Sequence, residues 1–131
     1  MNIDIITFCD SAHDYNGKLV IAGTFNTITA NSFPVIPSEF SFVVNASFEP
    51  AEFGHHNGCF KIYKKDKPDL ILVNIGMPIN VGNANPGQKA YMNICGSLAG
   101  TPIPEPGTYV ASFEIGALKR EIELYANIVT A

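Results

Sequence analysis

Phe40, Phe42, Val44, Ala46 and Phe48 alternate with Ser41, Val43, Asn45, Ser47 and Glu49 over an unbroken stretch of the chain. Successive side chains of a strand point to opposite faces, whereas a helix returns to a face every three to four residues. A helix would scatter these phenylalanines around its axis; a strand gathers them over a core. The pattern recurs near the end. Thr108 to Ile115 sets Tyr109, Ala111, Phe113 and Ile115 inward against Val110, Ser112 and Glu114. After a turn at Gly116-Ala117, Leu118, Ile122, Leu124, Ala126 and Ile128 share a face, with Lys119, Glu121, Glu123, Tyr125 and Asn127 opposite. No segment of helical period competes with these stretches.

The rest of the chain reads the same way. Asn2 to Cys9 is a strand with apolar residues on both faces, and Asp10 to Asn16 a polar connection. Asn16-Gly17 takes positive φ cheaply and turns the chain into a strand over Lys18 to Thr24, with Leu19, Ile21, Gly23 and Phe25 on one side. Apolar parity changes between Phe25 and Ile28, so a bulge or tight bend is expected before the next strand ends at Ala30. Asn31 to Glu39 is a loop, and Pro50 to Asn57 a break. Gly58 to Lys65 and Leu70 to Ile75 form a hairpin about Asp66-Lys67-Pro68-Asp69. Gly76 to Gly87 is a long loop, Gln88 to Leu98 a strand, and Ala99 to Gly107, with Pro102, Pro104 and Pro106, a stiff extended connection. About eight strands separated by regular turn signals predict an all-β antiparallel β-sandwich, one domain over residues 1–131; a closed β-barrel is the alternative.

Composition narrows the function. The 131 residues carry a net charge of -4, and Arg120 is the single arginine. A nucleic-acid surface needs several cations to neutralise phosphates, so no nucleic-acid partner is expected. No run approaches the ~20 apolar residues of a membrane helix, and the Met1 to Thr7 stretch lacks the signals of a secretory leader. Cys9, Cys59 and Cys95 cannot all pair within the chain, and buried free thiols suit a reducing compartment. Only 15% of residues are charged, so a partner covering apolar surface is one reading of the surface.

Cys9-Asp10-Ser11-Ala12, Asn16-Gly17-Lys18-Leu19, Gly23-Thr24-Phe25 and Phe33-Pro34, then Pro106-Gly107-Thr108-Tyr109, resemble the signals of an uncharacterised bacterial family, a domain of unknown function. The specific likeness lies in residues 8–34 and 106–115. It implies a compact β-domain in bacteria or their phages and carries over no activity and no site residue.

Glu52, His55, His56 and Cys59 are the one cluster of metal-type ligands. Adjacent histidines on an extended chain point apart, and a polar loop leading into a strand is the favoured reading. His13, His55 and His56, all placed in loops, are the available bases, and no Gly-x-Ser-x-Gly elbow accompanies them. Lys61, Lys64, Lys65 and Lys67 suggest either an anion site or, preferably, a lysine-guarded sheet edge. Asn80, Asn83 and Asn85 with Tyr91 are candidate ligand contacts, although asparagine also serves turns. Val110 and Tyr125, on outward faces, are a candidate assembly patch. The expectation is a non-enzymatic, cofactor-free, cytoplasmic domain of a bacterial or phage-associated protein that binds a protein partner or itself. The alternative is a small-ligand or carbohydrate-binding module using loops 76–87 and 99–107.

Overall fold

The computed structural model describes residues 1–83 and 85–129. Among them run the strands β1 (Asn2–Tyr15), β2 (Lys18–Phe25), β3 (Thr27–Ala30), β4 (Ser41–Phe48), β5 (Gly54–Lys64), β6 (Lys67–Val81), β7 (Ala90–Ser97), β8 (Gly107–Ile115) and β9 (Leu118–Ile128). They form two packed sheets, ordered β2-β1-β4-β7 and β3-β9-β8-β5-β6. Neighbours are antiparallel except β3, which runs parallel to β9. The all-β sandwich is as expected; the first sheet curls like half a barrel but does not close.

The alternation in β4 does what its period requires. Phe40, Phe42, Val44, Ala46 and Phe48 are all buried, facing Phe60 and Ile62 of β5 and Phe113 of β8. Phe42 stacks on Phe60 with ring centroids 3.8 Å apart and planes 7° from parallel. Its neighbour on β7 is Gly96, where a Cβ would overlap the Phe42 ring. The opposite face of β4 is not free, as strand parity alone suggests: Val43 and Ser47 are buried too. A bulge between Ile3 and Ile5 puts Ile3 in the core with Ile6 and Phe8, and leaves Ile5 partly exposed.

Four boundaries differ from the sequence reading. The hairpin turn between β5 and β6 sits at Lys65-Asp66 rather than over Asp66-Lys67-Pro68-Asp69, because Lys67 already pairs with Lys64. Asp10 to Tyr15 is strand rather than a polar connection, because the Asn16-Gly17 turn (φ 52° and 84°) closes a tight hairpin in register from Phe8–Phe25 to Tyr15–Lys18. Turn geometry sets that register whatever the polarity of the paired residues. Gly76 to Val81 is strand rather than loop, because it pairs with Gly54 to Cys59 and buries Ile79 in the space left by Gly58. Pro78 is tolerated since β6 is an edge strand with no ladder bond to donate on its outer side. β5 correspondingly begins at Gly54, after one 3₁₀ turn at Pro50–Glu52.

The parity change after Phe25 marks a change of sheet. Phe25 pairs with Phe8 in the first sheet, Asn26 accepts a hydrogen bond from Tyr125 N–H (2.8 Å), and Thr27 already pairs with β9. The proline-rich connection before β8 is pinned as well. Ile103 is fully buried and exchanges backbone bonds of 2.8 and 3.0 Å with Val35.

Replacing Phe42 with alanine is expected to cost about 3–5 kcal/mol in urea unfolding, the usual range for a buried phenylalanine. Gly96→Ala should also destabilise, and in a double-mutant cycle its cost should shrink in the Phe42→Ala background, where the ring it strikes is gone.

Candidate functional site

The metal-type residues are held apart. The Glu52 carboxylate takes the Met1 ammonium and the Glu49 N–H (2.9 Å). Those bonds, the ammonium first, hold its pKa below the ordinary carboxylate value. His56 Nε2 lies 2.6 Å from the Glu52 carbonyl, which can only accept, so this nitrogen carries the proton. Its ring rests against Phe48. His55 Nδ1 meets Asn80 Oδ1 on β6 at 3.2 Å, and the Cys59 thiol donates to Asn74 at 3.3 Å. Both histidines lie in β5, not in a loop. Among the described residues, no three His, Cys, Asp or Glu side chains converge as a metal site.

The asparagines bind their own loop. Asn83 donates to the Lys89 carbonyl (2.8 Å) and accepts from the Asn85 N–H (2.9 Å), while Tyr91 stands well exposed on β7. The lysines are likewise engaged. Lys64, nearly buried, donates to Glu105 at 2.6 Å, and Lys67 reaches the same carboxylate at 3.4 Å. Lys65 bonds Glu123 at 3.0 Å, and Lys61 lies over the Tyr63 ring. Lys61 and Lys64 sit on β5, interior to its sheet, rather than on an edge. Val110 is buried on the outward face instead of forming a patch, and Tyr125 is partly exposed.

The least guarded surface is the β1–β2 hairpin. Among the described residues β2 pairs with β1 on one side only, and from Leu19 to Phe25 it holds neither a charge nor a proline. Val20 is 48% and Tyr15 58% exposed. The remaining edges are managed in the ways edge strands usually are. β6 carries Lys67, Pro68, Asp69 and Pro78, and β3 is a short parallel strand. On β7, Asn93 donates to Asp14 and to the Gly17 carbonyl, each at 3.3 Å, so the hairpin tip reaches across to that strand.

That reach begins at Gly23, which takes φ 68° with the Asp10 carboxylate lying where a Cβ would stand. Between hairpin and sheet lies a cavity of about 280 Å³ lined by Ser11, His13, Ser41, Cys95 and Ser97. Sequence reading missed this grouping, because nothing local shows the hairpin returning to β7. His13 lies in β1 rather than a loop, and of the three thiols expected to be buried only Cys9 is, Cys59 being half-buried and Cys95 exposed. Partial desolvation by the surrounding protein, then Asp14, raises the Cys95 pKa; burial, then Cys95 and Asp10, raise that of Cys9. Both thiols therefore stay protonated at neutral pH and are weak nucleophiles.

Hydrogen bonds from Lys64 and then Lys67 hold Glu105 below the ordinary carboxylate value. A carboxyl depressed on folding contributes stability above its unfolded pKa and loses it as pH falls through the folded value. The thermal midpoint should therefore be flat near neutrality and drop below about pH 4.3, the ordinary glutamate value. Glu105→Gln should make that drop shallower.

The model of a family of unknown function (DUF6941) matches residues 4–127. No curated protein and no solved structure matches the chain. The match takes in both stretches that carried the likeness to an uncharacterised family and nearly every strand of both sheets, and the chain belongs to this family of unknown function.

Proposed function

We propose that this is a non-enzymatic binding and assembly domain whose partner is a second copy of the chain, joined edge to edge through β2. The observation that carries the reading is the open, charge-free edge from Leu19 to Phe25. A strand edge presents unpaired N–H and C=O groups, and an apolar uncharged edge invites another strand. Antiparallel pairing of β2 with itself is isologous, so each Lys18 lies beside the uncharged Thr24-Phe25 end of its partner and no like charges oppose. The exposed Val20 side chains then gain apolar neighbours. Free cysteines at positions 9, 59 and 95 favour the cytoplasm as its place of work. No helix among the described residues is long and apolar enough to cross a membrane.

Sedimentation equilibrium should find a dimer at micromolar concentration. Val20→Lys with Ala22→Lys, both at exposed positions, should weaken dimerisation at least tenfold while leaving the circular dichroism spectrum and thermal midpoint of the subunit nearly unchanged. A wild-type protein that stays monomeric at high concentration would rule the reading out.

A further inference from the structure

The β1–β2 hairpin has no anchor of its own in the core. From Asp10 to Thr24 no residue is buried; Leu19 and Ile21 are half-buried, and neither packs against the hydrophobic core. The residues flanking this stretch do, with Phe8 buried in the core and Phe25 half-buried against it. Yet the face beneath the hairpin is closed to water. Cys9 and Val43 are fully buried, and neither belongs to the core between the sheets. Their strand neighbours Phe8, Phe42 and Val44 point into that core, so Cys9 and Val43 point to the far face of the sheet. The cavity over that face has Ser11 and His13 on the hairpin side and Ser41, Cys95 and Ser97 on the other, and Cys95 is the partner of Val43 on β7. The hairpin is therefore the cover of this face.

It is held at two places. At its root the ladder pairs Cys9 with Thr24 and Ser11 with Ala22 but skips Asp10 and Gly23. Gly23 turns there with φ 68°, and a side chain on it would strike the Asp10 carboxylate. A ladder break beside a glycine of positive φ is where a ribbon bends. At its tip the hairpin is held by Asn93. The Asn93 side-chain oxygen accepts from Asn45 at 2.6 Å, which turns its nitrogen to the tip, where it donates to Asp14 and to the Gly17 carbonyl. Among the described residues, no other hydrogen bond and no ion pair joins Ser11 to Ala22 to the chain outside the hairpin.

We propose that Ser11 to Ala22 is a strap that lifts from the sheet as one unit, hinged at Asp10 and Gly23 and latched by Asn93, and that lifting it opens the face holding Cys9 and Val43. Local opening costs little where few buried apolar contacts are broken. Here it breaks two bonds of 3.3 Å and no core contact, while the ladder within the strap stays whole. The β2 edge rides on the strap, but the opening belongs to one subunit and stands whether or not β2 edges pair.

The test is alkylation of Cys9 by N-ethylmaleimide, read by mass spectrometry, in the whole chain carrying Cys59→Ser and Cys95→Ser so that a single thiol reports. Nanomolar protein keeps subunits apart. Labelling should be far slower than in a denatured control, and its rate should be nearly flat at low urea, since lifting the strap exposes little surface. Asn93→Asp removes the latch donors and sets a second carboxylate beside Asp14. It should speed labelling about tenfold while moving the thermal midpoint by only a few degrees. Asn45→Ala, which frees the Asn93 amide to turn away, should speed it by less. Phe42→Ala, which weakens the core and leaves the latch intact, should not change the low-urea rate. The proposal is overturned if labelling climbs steeply with urea from the start, as global unfolding does. It is equally overturned if Asn93→Asp leaves the rate unchanged, if Phe42→Ala accelerates it as much, or if Cys9 already reacts as fast as the denatured control.

Discussion

The Phe42–Phe60 stack is the contact through which the two sheets hold each other. Each ring belongs to an interior strand of its own sheet, so the pair sits near the middle of both. Near-parallel rings this close need a flat slot, and Gly96 provides one wall of it by lacking a side chain. Around the stack, Phe48, Phe113, Ile62 and Tyr109 fill the space between sheets. Burying each such side chain is worth about 1.5–3 kcal/mol. A glycine in a strand interior normally weakens it, but at position 96 the loss is offset by the packing it admits.

Outside this core, the second sheet is finished by charge rather than by another layer of structure. Tyr63 donates to Glu121, Lys65 to Glu123, and Lys119 stands near Glu114 and Glu121. Long polar side chains reaching between strands in this way cover Val110 and Ser112, which parity alone would leave in water. Single exposed pairs of this kind are each worth at most about 1 kcal/mol. Their larger effect is to engage Lys64, Lys65 and Lys67 with Glu105 and Glu123 among the described residues.

The strand class and the core faces were legible in the sequence because period-two alternation is a local signal. Phe40 to Phe48, Tyr109 to Ile115 and the break after Phe25 all show in the order of residues. What stayed hidden was long-range. The extension of β6 through Val81 depends on its partner β5, and a segment rich in Asn, Gly and Pro becomes strand once another strand templates it. The grouping of His13 with Cys95 depends on the hairpin tip meeting Asn93, a contact between distant residues. Tertiary pairing overrides local composition at both places.

The parallel pairing of β3 with β9 sets the order in which the molecule can be completed during synthesis. The β1–β2 hairpin closes on itself through a two-residue turn and can form as soon as it leaves the ribosome. β3 follows it immediately in the chain, yet among the described residues its only strand partner is β9, with most of the sequence between Thr27 and Tyr125. Until β9 emerges, β3 has no ladder to join, and the chain must hold an early segment in waiting while the sheet that will receive it is still being made. Folding of this domain is therefore gated at its far end, and a stall in translation before β9 leaves the crossing at Asn26 with nothing to anchor it.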